Sequence, residues 1–335
     1  MLIDNLVSLT FAELQNIPNV RDCYEIAFDC NNVRRGDLFV ASDANSVKEA
    51  INNGAYALLY DFDIEVSDSE IAWIKVDCVH SAVKRILRHL LLELHVNIFS
   101  MNRISVNIVK TIHQDTKLHV ITDASLQTVY STIKKLSLGS ILLIDDSLVD
   151  RTLYSTCKNF TAANKVTIKP KEMLLFQSSL LINNSYYENL RVSPLLLPYL
   201  QTSLDFFQFN NLEFCITKVA QLNHFEPLFL NRALVIKEYG SSENVLILES
   251  NEALFCEAVD FLRDKAAWST ILVLTPLEFN IKKYDNISYK TFESPADIMT
   301  ILKQKQYNFM LLLHDSSLKE RFNDAKETQQ LTFSL

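Results

Sequence analysis

Two short stretches carry side-chain types that can bind a nucleotide phosphate and its magnesium ion. Lys110 and Thr111 are adjacent, so they offer an ammonium group for phosphate oxygens and a hydroxyl for the metal. Asp145 is the first of two aspartates that end the apolar stretch SILLIDD, a position where α/β proteins often hold ligands. These residues form the candidate nucleotide site. For Asp145, a solvated acid at a strand end is the alternative interpretation.

Glycine is unusually rare in this chain. There are four glycines in 335 residues: Gly36, Gly54, Gly139 and Gly240. Average usage of about 7% would give more than about 20. Phosphate-binding loops need glycine because backbone N–H groups must approach the anion without a Cβ, often at positive φ. Neither GxxxxGK[ST] nor GxGxxG occurs anywhere in the sequence, so for residues 103–112 the alternative is a plain strand-to-loop transition.

The cysteines and histidines form no catalytic or metal-binding motif. The six cysteines are scattered without a CxxC pair, which favours reduced, buried thiols over a metal site. The seven histidines include no HExxH, and no GxSxG nucleophile motif is present. His224 and His314 are isolated in the sequence. We therefore predict no catalytic residue, no metal site and no cofactor from these residue types.

Composition and net charge indicate which kinds of molecule the protein can bind and where it is located. Hydrophobic residues make up 48% of the chain and charged residues 21%, as in soluble globular proteins. The net charge of −8 argues against nucleic acid, whose binding requires clustered Lys and Arg. The first residues lack the basic region of a secretory signal, and the apolar residues 87–99 are interrupted by charged ones. We expect a cytoplasmic protein without a membrane span.

Alternating strand and helix patterns predict an α/β protein. Near the start, a short helix is expected after Thr10, followed by the strands LFVA, AYALLYD and IAWIKV. Residues 165–193 are rich in β-forming residues, with a hairpin turn expected at Asn183-Asn184-Ser185. From residue 244 onward, strands and helices alternate as in a Rossmann-like parallel sheet. We predict three domains, with the boundaries 1–97, 98–232 and 233–335.

The order of elements between Asp29 and Asp61 resembles the N-terminal, nucleotide-sugar-binding domain of the Mur ligases. These ATP-dependent enzymes add amino acids to the peptidoglycan precursor, and the member that adds D-alanyl-D-alanine is the most similar. Asp29 and the GDLFVA stretch from Gly36 fit the family pattern, whereas Asn31 stands where the family has Arg. The resemblance implies a UDP-sugar site that includes Asp29, Cys30, Asn31 and Gly36.

The resemblance extends through the whole chain. It implies a three-domain Mur-ligase-like architecture, with a reduced central domain in the position of the ATPase domain and Lys110–Thr111 as a remnant of its Gly-Lys-Thr ending. In the last domain, family motifs follow the strand ends. Here those places hold a remnant set: Glu249, Asn251, Glu278 and Ser316. The tyrosine, the glycines, the lysine and the final arginine of the motifs are replaced.

Three functional hypotheses follow from this combination. The first is a catalytically inactive Mur ligase homologue, a binding or scaffold protein whose partner is another protein of cell-wall synthesis. The second is a divergent ATP-dependent ligase that adds D-alanyl-D-alanine through an amide bond. The third is a protein that binds a UDP-linked muropeptide without catalysis. The retained framework beside lost glycine loops favours the first.

Overall fold

The computed structural model describes residues 1–162, 165–231, 233–242, 244–304, 306–314, 318–319 and 322. The chain divides into two compact units. Unit 1 contains Met1–Val106 and Asp115–Thr161, and unit 2 contains Asn107–Gln114 and Ala162–Leu335. The three-domain boundaries at residues 97 and 232 stay a prediction.

The first sheet of unit 1 contains short, buried strands. In the described residues the strands are β1 (Glu13–Leu14), β2 (Ile26–Ala27), β3 (Leu38–Val40), β4 (Ala57–Tyr60) and β5 (Ala72–Lys75). Their spatial order is β1-β5-β4-β3-β2, and all neighbours are parallel except β1 and β5. The helices are α1 (Ile3–Thr10), α2 (Ala44–Asn52) and α3 (Val79–Glu93). The LFVA, AYALLYD and IAWIKV strands are confirmed.

The second sheet of unit 1 is parallel throughout its described strands. These are β6 (Asn97–Met101), β7 (Leu118–Ile121), β8 (Ile141–Asp145) and β9 (Lys158–Asn159), in the order β7-β8-β6-β9. Helix α4 (Arg103–Ile112) follows β6, and α5 (Leu126–Ile133) precedes β8. One buried cluster joins the two sheets of unit 1 through α3, with Leu87 against residues such as Ile98 and Leu142.

Unit 2 begins with an antiparallel sheet. Its described strands are β10 (Ile168–Leu174), β11 (Gln177–Ile182) and β12 (Ser185–Leu190). The predicted hairpin turn at Asn183 and Asn184 is confirmed, and Asn183 adopts a φ of +51°. Helix α6 (Leu197–Asn210) follows this sheet.

A mostly parallel sheet forms the rest of unit 2. Its described strands are β13 (Glu226–Leu230), β14 (Asn244–Glu249), β15 (Ile271–Pro276), β16 (Ser288–Phe292) and β17 (Phe309–Leu313). The order is β13-β14-β17-β15-β16, and only β13 runs antiparallel. Helices α7 (Glu252–Lys265) and α8 (Pro295–Gln304) connect its strands. The predicted α/β class with a Rossmann-like C-terminal sheet is confirmed.

Two local predictions are wrong. The first helix ends at Thr10 instead of beginning after it, and Thr10 donates its hydroxyl to the carbonyl of Leu6 inside the last turn. Residues 103–112 form α4 and not a strand-to-loop transition. Their β-branched residues favour a strand locally, but Ile104, Ile108 and Ile112 are all buried at helical spacing, and tertiary packing overrides the local preference.

Helices in the described part of the chain are all too short or too polar to cross a lipid bilayer. Every cysteine is present as a free thiol.

Candidate functional site

A buried carboxylate and imidazole lie at the carboxyl edge of the C-terminal sheet. Glu249 is the last residue of β14 and is fully buried, and His224 comes two residues before β13. The His224 Nδ1 atom lies 3.0 Å from Glu249 Oε1 and 3.2 Å from Oε2. On the other side of the ring, Nε2 lies 2.8 Å from the side-chain nitrogen of Asn107, which is on α4. The three side chains form a continuous hydrogen-bonded chain.

The Glu249 carboxylate is compensated by N–H donors. The backbone N–H of Asn251 donates to Oε1 at 2.7 Å, and that of Phe225 donates to Oε2 at 2.8 Å. Because Nδ1 faces the carboxylate, the His224 ring donates there and its Nε2 accepts from the Asn107 amide. Each carboxylate oxygen therefore receives a backbone donor, which offsets the cost of burying a charge.

This arrangement orients the His224 ring but leaves no ring nitrogen open to a substrate or nucleophile. A carboxylate–imidazole pair activates a hydroxyl or thiol when that nucleophile lies at the second ring nitrogen. Here the amide of Asn107 fills that position. His224, which belongs to no motif in the sequence, is hydrogen-bonded to a residue 25 positions later. No local pattern identifies the pair, since the antiparallel pairing of β13 with β14 brings them together.

The other remnant residues of the last domain occupy separate places. Asn251 caps α7, and its side-chain oxygen accepts from the N–H of Leu254 at 2.9 Å. Glu278 lies on the exposed turn after β15, two strands away from β14 in the sheet. Ser316 lies outside the described residues. Among the described residues of this set, Glu249 and Asn251 are hydrogen-bonded to each other.

The connection from β6 to α4 consists of one residue, Asn102. Its side-chain oxygen accepts from the backbone N–H of Ser105 at 2.9 Å, and its amide donates to the Ser105 hydroxyl at 3.0 Å. This is the pattern of an N-cap, in which the side chain satisfies an N–H group left unpaired by the helix. The start of α4 is therefore capped from within the chain.

Lys110 and Thr111 lie at the opposite end of α4. Lys110 is exposed in the last turn, seven residues after Arg103, which corresponds to about 10 Å along the helix axis. The Thr111 hydroxyl donates to the backbone carbonyl of Asn107 at 2.8 Å. These two side chains are thus in the last turn of α4, at the opposite end of the helix from Asn102.

Asp145 lies at the carboxyl edge of the second sheet of unit 1, beside the start of α4. Strand β8 pairs with β6 so that Asp145 is opposite Met101, and the carboxylate accepts from the N–H of Ser147 at 3.0 Å. The Nε of Arg103 lies 3.9 Å from the other carboxylate oxygen. Asp145 is almost fully buried, whereas the Arg103 side chain is 62% exposed. The guanidinium is the cation facing this acid.

The residues of the predicted UDP-sugar site are hydrogen-bonded to other groups of the chain. Asp29 accepts from the backbone N–H of Asn31 at 3.0 Å and from the side chain of Asn32 at 3.1 Å, at the start of a short 3-10 turn. The Cys30 thiol donates to Glu49 Oε2 at 3.3 Å. This hydrogen bond to a carboxylate raises the pKa of Cys30.

Gly36 shapes the turn before β3. Its φ is +102°, and an added Cβ would overlap the ring of Tyr24. Its N–H donates to the carbonyl of Gly54 at 3.0 Å, and its own carbonyl accepts from the N–H of Tyr24 at 2.8 Å. The positive φ favours glycine at this position, and an added Cβ would force the exposed Tyr24 ring to shift.

Comparison with known proteins gives structural matches only. No family model matches the sequence, and no curated protein does. A solved UDP-N-acetylmuramoylalanyl-D-glutamyl-2,6-diaminopimelate--D-alanyl-D-alanyl ligase from Acinetobacter baumannii matches with a TM-score of 0.56 and 11% identity, covering 96% of this chain and 98% of that chain. The MurF ligase from Thermotoga maritima in complex with ADP matches with a TM-score of 0.58 and 12% identity, covering 91% and 98%. The chain has a Mur-ligase-like fold.

Within this Mur-ligase-like fold, the predicted site residues lie at several separate places. The described ones are bonded mainly to nearby backbone or to side chains of the chain itself. In the described residues, no group of three His, Cys, Asp or Glu side chains has the geometry to hold a metal ion. Neither Asn107 nor His224 belongs to a site predicted from the sequence. His224 is hydrogen-bonded to Glu249 and Asn107 to His224, whereas Glu278 lies on a separate turn.

Proposed function

We propose that this protein is a catalytically inactive homologue of the Mur ligases, related most closely to the D-alanyl-D-alanine-adding member. It acts as a binding or scaffold protein in peptidoglycan precursor synthesis, and its partner is another protein of that process. The observation that carries this proposal is the single-residue connection from Met101 to Arg103.

A phosphate loop does not fit this connection. Such a loop places about five residues between the strand and its lysine, and glycines let the backbone surround the phosphates. Asn102 is one residue, and its side chain already occupies the N–H of Ser105. The start of α4, which would face an anion, is therefore capped by Asn102. The sequence has no glycine between Gly54 and Gly139 from which a phosphate loop could be built.

The positions of the charged side chains also argue against a nucleotide site. Lys110, the candidate phosphate lysine, is about 10 Å along α4 from the helix start. Asp145, the candidate magnesium ligand, faces the Arg103 guanidinium, which repels a divalent cation at the same carboxylate. Acyl-phosphate chemistry needs both the phosphates and the metal to be held, so loss of the two sites removes the reaction.

Isothermal titration with MgATP tests the proposal. We expect no saturable heat up to about 1 mM nucleotide, with an active ligase of the same fold as the positive control. A Kd in the micromolar range that is lost in Asp145→Asn would contradict inactivity and favour the divergent ligase. The Lys110→Ala variant then shows whether Lys110 contacts the nucleotide. An unchanged Kd for MgATP would mean that it does not.

The turn at Gly36 supports a second candidate, a non-catalytic site for a UDP-linked muropeptide. The turn is held by both backbone bonds of Gly36, and Arg35 is exposed beside it with its Nε 3.3 Å from the Tyr56 hydroxyl. An exposed arginine on a fixed turn is suited to a diphosphate. Titration with a UDP-linked muropeptide should give saturable binding that Arg35→Ala weakens. No binding by the wild-type protein would exclude this candidate.

A further inference from the structure

A wide apolar groove lies in unit 2, at the amino edge of the C-terminal sheet. Its volume is about 860 Å³. Phe309 at the start of β17 and Val245 in β14 form part of its floor, and the β10–β11 turn closes one side with Phe176. Glu249, Asn251 and Glu278 lie at the opposite, carboxyl ends of the strands, so the groove is a separate feature.

The floor of the groove is fixed by aromatic contacts. The Tyr239 hydroxyl donates to the carbonyl of Phe176 at 3.0 Å, and the Tyr239 and Phe229 rings lie 5.0 Å apart. Phe176 also contacts Phe229 and Phe309, with ring centroids 6.2 and 5.9 Å apart. Such a preformed aromatic surface binds an apolar group without first paying for side-chain ordering.

Large apolar side chains on the rim remain in solvent. Trp268 is 75% exposed, and Met173 and Leu174 are 54% and 53% exposed. All three line the groove. Tryptophan and methionine grouped around an apolar depression are typical of protein interfaces, where aromatic anchors carry most of the binding energy. A small molecule inside the groove would leave much of this rim uncovered.

Two cations lie at the groove. Lys265 lines it, and no acidic side chain is among the described residues of the lining. The Arg191 guanidinium lies 4.7 Å from the centroid of the Tyr239 ring, at the groove wall. Asp264, next to Lys265 in the sequence, is paired with Arg263 at 2.8 Å. An occupant with carboxylates beside its apolar groups would complement these cations.

We propose that this groove is the docking site for the partner protein and that it binds a segment with aromatic or aliphatic anchors flanked by Asp or Glu. The proposal rests on the proposed scaffold function. The extent of the exposed rim favours a polypeptide over a small amphiphile, and the basic side chains favour an acidic one.

The test uses a displayed library of random peptides of about 12 residues. The library is selected on the full-length protein and counter-selected on the Lys265→Glu, Trp268→Ser double variant. Enriched peptides are then synthesised, and their affinities are measured by fluorescence anisotropy against single variants. Leu277→Ser and Lys283→Glu are matched controls, because both residues are exposed and neither lines the groove. Circular dichroism checks that each variant is folded.

We expect the enriched peptides to combine apolar anchors with acidic residues. Trp268→Ser and Lys265→Glu should each weaken binding about tenfold or more, and the controls should change it less than about twofold. Leu174→Ser provides a third groove variant if one of these two is unfolded. Added salt should weaken the contribution of Lys265.

Several results would overturn the proposal. These are the absence of enriched peptides, peptides without acidic residues, and equal binding to groove and control variants. A titration with dodecanoate is run in parallel, and binding of this lipid alone, lost in the groove variants, would assign the groove to a small amphiphile. The MgATP titration is a separate measurement, so failure of the groove and failure of the proposed inactivity are distinguishable.

Discussion

Replacing Glu249 with glutamine should destabilise unit 2 strongly, although the two side chains have almost the same shape. Oε1 of Glu249 accepts from the N–H of Asn251, and Oε2 accepts from the N–H of Phe225. The His224 ring donates between them. Whichever way the glutamine amide is turned, its NH₂ group faces a backbone N–H donor. Rotation of the side chain cannot remove the conflict.

The size of the loss in unfolding free energy can be estimated from these hydrogen bonds. Glutamine loses a hydrogen bond to a charged group, worth about 1.5–3 kcal/mol, and leaves a buried donor unpaired, which costs about 1–3 kcal/mol. Together these two contributions amount to about 2.5–6 kcal/mol. We therefore expect Glu249→Gln to lower the free energy of unfolding of unit 2 by about 3–5 kcal/mol. Glu278→Gln, at an exposed position, should change it by less than about 0.5 kcal/mol.

Hydrogen exchange measured by mass spectrometry is the suitable assay, because the chain has two compact units and a single melting temperature would mix them. Amides of β13 and β14 should exchange about 10²-fold faster or more in Glu249→Gln. In a double-mutant cycle, His224→Phe should cost less in the Glu249→Gln background than in the wild type. Exchange within about twofold of the wild type would refute the inferred compensation of the carboxylate.

Three further predictions concern unit 1. Gly36→Ala should destabilise it by about 1–2 kcal/mol, because the residue has a φ of +102°, a conformation that residues with a Cβ rarely adopt; urea unfolding measures this loss, and a neutral result would contradict the turn geometry. The hydrogen bond from Lys84 lowers the pKa of Asp150 to about 2, so this half-buried pair stabilises the folded state above about pH 4 and is lost as pH falls toward 2. Asp150→Asn should therefore cost about 1 kcal/mol at pH 7, and the difference from wild type should disappear near pH 2 in pH-dependent urea unfolding. Asn102→Ala should weaken the start of α4 by about 1 kcal/mol, seen as faster amide exchange there, without creating MgATP binding.

Much of the fold could be predicted from the sequence because its strands are continuous apolar stretches between turn residues. NVLILE, which becomes β14, has five consecutive buried residues from Val245 to Glu249. The hairpin at Asn183 could be predicted because asparagine tolerates the positive φ found there. These signals are local, so one sequence contains them in full.

The features that could not be predicted from the sequence depend on contacts between residues that are far apart in the chain. Helix α4 was missed because its isoleucines and valines favour strands locally, while burial of nearly all of them stabilises a helix. The bond between His224 and Glu249 exists because β13 pairs with β14 antiparallel, a register that no spacing in the sequence encodes. Asn107 reaches the same histidine from a helix more than 100 residues earlier. Single-sequence motifs therefore locate the edge of the sheet but not the side chains that meet there.

The retained polar residues at strand ends also have a structural explanation that does not require a substrate. Strand ends and helix starts leave backbone N–H groups unpaired, and Asp, Asn and Glu side chains satisfy them. Asp29, Asp145, Glu249 and Asn251 each accept a hydrogen bond from a backbone N–H of this chain. Selection for folding alone would keep such residues, whereas glycine loops that serve only a phosphate would be lost once the reaction is lost. The loops, and not the surviving acids, are therefore the positions that distinguish an active ligase from a scaffold with the same fold.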